Sequence, residues 1–155
     1  MPVFEDRFQV HAPLEAVSLF HKDTRVLKRL TPPPVLVQIH RVEPLAEGSR
    51  SEFTLWFGPL PLRWLAVHSH VNPRSGFTDT QARGPLKHWQ HQHCWEAISP
   101  NVTLMKERVT YEHFAGLRGL LTRLLFARPA LKLMFFYRRW VIRRGLQRQA
   151  VSMKK

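Results

Sequence analysis

The sequence predicts an α+β fold in which an antiparallel sheet of about seven strands packs on a long C-terminal helix. Between residues 35 and 113 apolar and polar residues alternate with a period of two, and short turn sequences interrupt this alternation. After Gly116 the apolar residues recur at helical spacing. Two short amphipathic stretches separate a first strand from the alternating region, so helices and strands occupy different parts of the chain.

The elements before the main sheet follow from local signals. Alternation over Val3–Val10 predicts the first strand. Pro13 stands at a helix start and is followed by apolar residues at helical spacing, which predicts a short helix. A second short helix is expected from Asp23, a suitable N-cap, to Leu30. It must end before the prolines at positions 32–34, since proline cannot continue a helix.

The main sheet is expected to contain six further strands with hairpin-sized connections. Turn sequences such as Gly58-Pro59 and Gly84-Pro85 separate them, because these residues preset or permit turn dihedrals. The predicted strands are Val35–Val42, Ser51–Phe57, Leu62–Val71, Phe77–Ala82, Leu86–Ile98 and Thr103–His113. In the helical region that follows, Pro129 is expected to kink or restart the helix.

Length and composition indicate one domain. A chain of 155 residues with 44% apolar content can bury a single hydrophobic core. We expect the domain to span residues 1–150 and residues 151–155 to form a basic tail. Cys94 is the only cysteine, so no internal disulfide forms, and with no signal-peptide pattern we expect a cytoplasmic protein. The apolar stretch Leu120–Ile142 contains five bases and is not expected to span a bilayer.

The charge of the chain is concentrated at its C-terminal end. All eleven acidic residues lie at or before Glu112, whereas eleven Lys and Arg residues lie between Arg118 and Lys155, so this segment carries +11 of the total +13. Such a segment can attract anionic lipid or nucleic acid, and of these two partners we expect an anionic membrane surface rather than nucleic acid. It is equally typical of a solvated helix face that keeps the protein in solution.

Five stretches carry a family resemblance. They are Leu30-Thr31-Pro32-Pro33, Leu62-Arg63-Trp64, Phe77–Pro85 followed by Trp89-Gln90-His91-Gln92-His93, Met105–Tyr111, and Phe135-Phe136-Tyr137-Arg138. These stretches resemble START-related (SRPBCC) ligand-binding domains, whose subgroup includes relatives of polyketide cyclases and domains fused to nucleotide-sugar-epimerase-like proteins. The resemblance implies a helix-grip fold, with a curved sheet around the C-terminal helix and a cavity for a ligand. It supplies no reaction, because fold alone does not fix function.

Aromatic and imidazole side chains are predicted to share one face of the sixth strand. Residues two apart on a strand project to the same side, so Trp89, His91, His93 and Trp95 point together and Cys94 points away. Rings with an apolar body and a polar tip are typical of a pocket for an organic ligand. The alternative is that these large side chains only pack the core.

A second pair of histidines suggests a possible metal site. His68 and His70 are expected to share one face of their strand, and with His91 and His93 they make two His-x-His pairs near the carboxylates of Asp79 and Glu107. The His-x-His pattern has low specificity and no further ligand motif supports it. We therefore expect neither a metal nor a cofactor.

The terminal helix is predicted to place one arginine on its apolar stripe. Leu131, Phe135 and Ile142 recur at helical spacing, and Arg138 falls among them. A buried guanidinium needs a partner, so we expect Arg138 to pair with Asp79 or Glu107, with an anionic ligand group as the alternative. The opposite side of the helix, from Lys132 to Arg144, mixes aromatic and basic residues that suit an anionic surface unless other segments cover them.

The sequence favours binding of a hydrophobic small molecule or lipid in an internal cavity, by a monomer or a homodimer. The predicted ligand-binding residues are Trp64, His68, His70, Asp79, Trp89, His91, His93, Trp95, Glu107, Tyr111, Phe135 and Arg138. A cyclase, dehydrase or aromatase acting on a polyketide-like substrate is the first alternative, with His91 or His93 as base; no classical nucleophile motif is present, and catalytic residues stay unassigned. The second alternative is a peripheral module that docks through its basic C-terminal helix.

Overall fold

A computed structural model describes residues 1–155. It contains seven strands and four α-helices, and two 3₁₀ turns at Thr24–Val26 and Gly116–Gly119 precede the second and third helices. The strands are β1 (Val3–Val10), β2 (Leu36–Val42), β3 (Arg50–Phe57), β4 (Leu60–Asn72), β5 (Gly76–Arg83), β6 (His88–Ser99) and β7 (Val102–Glu112). The helices are α1 (Leu14–Lys22), α2 (Leu27–Leu30), α3 (Leu120–Leu125) and α4 (Arg128–Met153).

The seven strands form one antiparallel sheet in the order β1-β7-β6-β5-β4-β3-β2. Strands β2 to β7 follow one another as hairpins, and β1 pairs with β7 to complete the order. The predicted α+β fold, with a curved sheet, a long C-terminal helix and short helices after the first strand, is confirmed. Its strand boundaries differ from prediction by one to two residues at most ends, where turn residues extend or shorten the ladder.

Pro129 restarts the helix instead of kinking it. Helix α3 ends at Leu125, and Pro129 stands in the first turn of α4. Backbone N–H groups in the first turn make no helical hydrogen bond, so a proline there breaks none. Helix α4 then continues for 26 residues to Met153. Residues 151–153 are therefore the last turn of this helix, and no break separates the predicted basic tail from residue 150.

The core lies between the sheet and helices α1 and α4, and it has two parts. One part contains Phe4, Trp64, Trp89 and Phe135, and the ring centroids of Phe4 and Phe135 are 4.9 Å apart. The other part packs α1 and the C-terminal half of α4 on β6 and β7. Its members are Phe8, Val10, Ala12, Val17, Phe20, Leu30, Phe77, Trp95, Met105, Val141, Ile142 and Leu146. Helix α4 is thus held along most of its length by apolar side chains.

Two glycines permit close approach between elements. Gly76 begins β5 with φ +128°, and a Cβ built on it would lie 1.8 Å from the carbonyl oxygen of His93. Gly145 in α4 faces Phe20 of α1, and a Cβ there would lie 2.5 Å from the ring. The first contact lets β5 lie directly against β6, and the second lets α1 lie against α4.

Helices α3 and α4 leave an apolar surface uncovered. The large apolar side chains that are exposed on these helices and on the 3₁₀ turn before α3 are Leu117, Leu120, Leu121, Leu124, Leu133, Phe136, Trp140, Val151 and Met153. The segment 117–126 does not cover Phe136 and Trp140, which are 61% and 49% exposed. Arginines lie over the aromatic rings instead, and Arg144 stands 4.7 Å from the centroid of Trp140. None of the helices combines the length and the apolar character that crossing a membrane requires.

Candidate functional site

A cavity of about 290 Å³ lies between the sheet, α2 with the loop after it, and α4. Its wall is largely aromatic and aliphatic, and Phe53, Trp64, Trp89 and Phe126 form a continuous set of ring contacts along it. Polar side chains line the remainder of the wall. They are His21, Thr24, Thr31, Ser51, His68, Asp79, His91, His93 and Arg138. The cavity is therefore apolar over most of its surface, with a group of ionisable side chains from β5, β6 and α4.

The row predicted on β6 points inward. Trp89, His91, His93 and Trp95 are all buried, whereas Cys94 is exposed on the other face. In the register of the sheet, His91 stands opposite Asp79 of β5, and His93 stands opposite Glu107 of β7. Because cross-strand neighbours on one face lie close together, this register brings two imidazoles and two carboxylates into one cluster.

His93 contacts both carboxylates of this cluster. Its Nε2 lies 2.8 Å from Oδ2 of Asp79, and its Nδ1 lies 3.0 Å from Oε2 of Glu107 in an ion-pair contact without hydrogen-bond alignment. Burial alone would lower the pKa of His93, but the charge of Glu107 and the contacts with both carboxylates outweigh it and raise the pKa to about 9. At neutral pH His93 is therefore an imidazolium held between two carboxylates.

His91 remains neutral in the same cluster. Burial and the positive charge of His93 lower its pKa, although Glu107 acts in the opposite direction. Its Nε2 lies 2.6 Å from Oε2 of Glu107 and donates to it, which leaves Nδ1 as an unprotonated acceptor. The charges of the two histidines likewise keep the pKa of Glu107 well below its usual value, despite burial.

The predicted ion pair of Arg138 with a strand carboxylate is wrong. Neither Asp79 nor Glu107 comes within 4.0 Å of the guanidinium, and the hydrogen bonds of the two carboxylates are made with His93 and His91. Burial lowers the pKa of Arg138, while Glu107 and Asp79 act on it from a distance to raise it. With His93 and Arg138 positive and Asp79 and Glu107 negative, the four groups carry no net charge.

His68 and His70 do not share a face, which contradicts the predicted alternation. A register shift between Ser69 and Asn72 and a φ of +52° at His70 break the period of two, and His70 points into solvent. His68 is buried and lines the cavity, with its Nδ1 3.0 Å from the hydroxyl oxygen of Ser49. The predicted grouping of four histidines from two His-x-His pairs is therefore absent.

The predicted ligand-binding residues divide between the cavity wall and the layer behind it. Those on the wall are Trp64, His68, Asp79, Trp89, His91, His93 and Arg138. Those buried behind the wall are Trp95, Glu107, Tyr111 and Phe135. Trp95 donates its Nε1–H to the carbonyl of Pro73 at 3.0 Å, and Phe135 packs edge-on against His91. This second group positions the wall, and His70 belongs to neither group.

The sequence analysis missed His21, which lines the cavity from the last turn of α1. Its Nδ1 donates to the carbonyl of Val17 at 2.8 Å, and its buried Nε2 has no partner. Burial and the charge of His93 lower the pKa of His21 to about 4, so the ring is neutral. A signal was present, because Val17, Phe20 and His21 follow the helical spacing of a buried stripe.

Asp79, His91 and His93 also form a set with the spacing of metal ligands. One ligand atom from each lies within 4.8 Å of the others. To bind a cation, His93 would have to lose the proton that its contacts with Asp79 and Glu107 stabilise, and Arg138 would repel the ion. Asp79, His91 and His93 therefore suit a hydrogen-bonded network in which His93 keeps its proton better than they suit a metal centre.

Comparison with models of protein families and with curated proteins gives no match. Solved structures do match. The Zhui aromatase/cyclase from Streptomyces sp. R1128 superimposes with a TM-score of 0.76 and 15% identity, over 96% of this chain and 95% of that chain. A START superfamily protein from Mycobacterium smegmatis gives a TM-score of 0.69 and 9% identity, over 95% of this chain and 98% of that one.

A third structure explains the resemblance to fused domains. The nucleoside-diphosphate sugar epimerase from Corynebacterium glutamicum matches with a TM-score of 0.66 and 25% identity. The match covers 93% of this chain but 29% of the epimerase chain, so the similarity is to one part of that protein. The order of strands, the long terminal helix and these likenesses together show that the chain has the START-related helix-grip fold, as its sequence predicted.

Proposed function

We propose that the protein binds a hydrophobic small molecule or lipid in the cavity between its sheet and α4. The observation that carries this proposal is the cavity of about 290 Å³ with stacked aromatic walls and a compact group of ionisable side chains. Ligand sites of this kind are mostly apolar, with a few polar groups that fix the orientation of the ligand. The START superfamily and cyclase structures with the same fold support it.

The walls supply the binding free energy in this proposal. Each Å² of apolar ligand surface that leaves water contributes about 25 cal/mol, so a small ring system that contacts Trp64, Trp89 and Phe53 gains several kcal/mol. Asp79, His91, His93 and Arg138 are fixed by the sheet and α4, and they would orient the polar end of the ligand. This division of roles requires no chemical step.

A cavity-filling substitution tests the proposal. Ala66 of β4 is buried in the wall, whereas Ala97 of β6 is exposed, so Ala66→Trp fills the cavity and Ala97→Trp serves as a matched control. Native mass spectrometry of purified wild-type protein should reveal a bound molecule that Ala97→Trp retains and Ala66→Trp lacks. An adduct of equal occupancy on Ala66→Trp would contradict the proposal. So would a wild-type protein that carries no molecule and also fails to bind added 2-methylnaphthalene.

One observation favours catalysis as a second candidate function. His91, Glu107, His93 and Asp79 form a continuous chain of contacts of 2.6 to 3.0 Å, and His91 and Asp79 reach the cavity. A neutral His91 with a free Nδ1 is a suitable general base for a cyclase or dehydrase step on a polyketide-like substrate. Substitution of His91 and His93 by Gln would abolish turnover if this function is present, and would leave simple binding largely intact.

The exposed surface of α3 and α4 favours a peripheral role for the same domain. We define this surface, the leucine-arginine surface, by Leu120, Leu124 and Phe136 together with Arg123 and Lys132. No acidic residue follows Glu112, so apolar and basic side chains combine here without negative charge. This combination suits an anionic lipid surface, into which leucines insert while arginines contact headgroups. Because Leu133 of α4 also lines the cavity, such docking would bring the cavity close to the membrane.

A further inference from the structure

Arg138 has donors that the protein does not use. Its guanidinium makes no hydrogen bond, its Nε is buried without a partner, and no carboxylate lies within 4.0 Å. The ring of Phe135 lies beside it, with its centroid 5.4 Å from the guanidinium carbon. The Arg138 side chain as a whole is half-buried and lines the cavity, so its terminal nitrogens can donate to an acceptor on a ligand.

Asp79 has an acceptor that the protein does not use. Its Oδ2 accepts from Nε2 of His93 at 2.8 Å, whereas its Oδ1 has no hydrogen bond. The side chain remains 21% exposed, although it lines the same cavity as Arg138. Arg138 is near enough to Asp79 for their charges to interact, yet too far for an ion pair. A free acceptor and a free donor therefore line the same cavity.

We propose that the ligand of this cavity carries a hydroxyl group that donates to Asp79 and accepts from Arg138. This inference rests on the proposed binding function and specifies the chemistry of the ligand. A hydroxyl group is both donor and acceptor, and it satisfies both side chains without adding charge. A carboxylate would satisfy Arg138 alone, and it would leave a net negative charge in a cluster whose four ionised groups now cancel. The remainder of the ligand is apolar and contacts the aromatic wall.

Three naphthalene probes separate the two hydrogen bonds. 2-Naphthol can donate and accept, 2-methoxynaphthalene can only accept, and 2-methylnaphthalene can do neither. Wild-type protein should bind 2-methoxynaphthalene about tenfold more tightly than 2-methylnaphthalene, because the acceptor meets a charged donor. It should bind 2-naphthol about tenfold more tightly again, because the hydroxyl donates to a charged carboxylate. Isothermal titration at fixed pH measures all three dissociation constants.

Two substitutions should each remove one of these preferences. In Arg138→Met, 2-methoxynaphthalene should bind about as tightly as 2-methylnaphthalene. In Asp79→Ala, 2-naphthol should bind about as tightly as 2-methoxynaphthalene. Arg144→Met is the matched control, because Arg144 lies over the exposed Trp140 on the same helix, and it should keep both ratios. Ratios within one variant are insensitive to a general loss of affinity. If Arg138→Met does not fold, Arg138→Lys retains the positive charge, loses the planar donor fork, and should lower the first ratio.

The outcomes distinguish this inference from the proposed function. If 2-naphthol binds wild-type protein no more tightly than 2-methylnaphthalene, while Ala66→Trp abolishes binding of both, the cavity binds apolar molecules and the hydroxyl inference is wrong. If both ratios persist in Arg138→Met and Asp79→Ala, the hydroxyl contacts other residues and the inference is also wrong. If wild-type protein carries no co-purified molecule and binds none of the three probes, the proposed function itself fails.

Discussion

Nε2 of His93 lies 2.8 Å from Oδ2 of Asp79 on the neighbouring strand, and the opposite nitrogen of the same ring faces Glu107. A ring held between two carboxylates in the interior of the sheet keeps its proton. The ionisable cluster therefore has a defined state at neutral pH, with His93 charged and His91 neutral. The first predictions concern this state.

His93 should stabilise the folded protein in a specific pH range. Its pKa is raised from 6.5 to about 9, so its contribution is fully present below pH 6.5 and is lost as pH rises through 9. With one pKa unit worth about 1.4 kcal/mol, the loss should be about 3 kcal/mol. Urea unfolding of wild type and His93→Gln across this range measures it. The exposed His11→Gln should behave as wild type, and an equal alkaline loss in His93→Gln would contradict the assignment.

His21 should make the opposite contribution on the acid side. Its pKa is lowered to about 4 by burial and by His93, so the unfolded chain binds a proton that the folded chain does not between pH 6.5 and 4. Stability should therefore fall as pH falls through this range. His21→Phe keeps the ring packing against Phe20 and Trp95, and it should make the fall shallower. Unfolding curves with a slope unchanged from wild type would count against a neutral His21.

The close approach of β5 and β6 at Gly76 predicts a large stability difference between two glycine substitutions. Gly76→Ala places a methyl group 1.8 Å from a carbonyl oxygen and should cost about 3 kcal/mol or more. Gly58→Ala meets no atom within 4 Å, so only its positive φ of 60° costs energy, about 1 to 2 kcal/mol. Thermal unfolding compares them, and equal losses would show that β5 and β6 can separate at no cost.

The leucine-arginine surface should bind anionic vesicles. Wild-type protein should bind phosphatidylcholine vesicles that contain phosphatidylglycerol at low salt, and binding should weaken as salt screens the charges. Ser at both Leu120 and Leu124 should reduce binding at least about a hundredfold, since each inserted leucine contributes about 1.5 to 3 kcal/mol. Leu19→Ser is the control, because Leu19 is 60% exposed on α1, outside this surface. Vesicle sedimentation that is equal for all variants would exclude the surface as a membrane contact.

Much of the fold could be predicted from the sequence, because a period of two identifies strands and their inner faces wherever the ladder is regular. This holds for β6, where the row from Trp89 to Trp95 points inward as predicted. It fails at His70, where the folded backbone has a bulge and a positive φ. No residue type near Ser69 indicates either feature in the sequence. A histidine can occupy such a position, and alternation alone cannot identify it.

The site could be predicted only in part, because distances across the sheet decide which side chains pair with each other. Asp79, Glu107 and Arg138 were recognised as groups that need partners, but the register gives both carboxylates to His91 and His93 and leaves Arg138 without one. The apolar side of α1 was predicted, but only the packing of α1 against β6 brings the ring of His21 beside His93 at the cavity wall. Both failures involve contacts between elements that are distant in sequence.

The cavity is tested most directly by titration with the neutral fluorescent probe N-phenyl-1-naphthylamine in wild type, Ala66→Trp and Ala97→Trp. Saturable binding of one probe molecule per chain is expected for wild type and Ala97→Trp, and affinity should be at least about tenfold weaker for Ala66→Trp, whose indole fills the space that the probe needs. Equal affinity for all three proteins, or no saturable binding to wild type, would contradict a ligand-binding cavity between the sheet and α4.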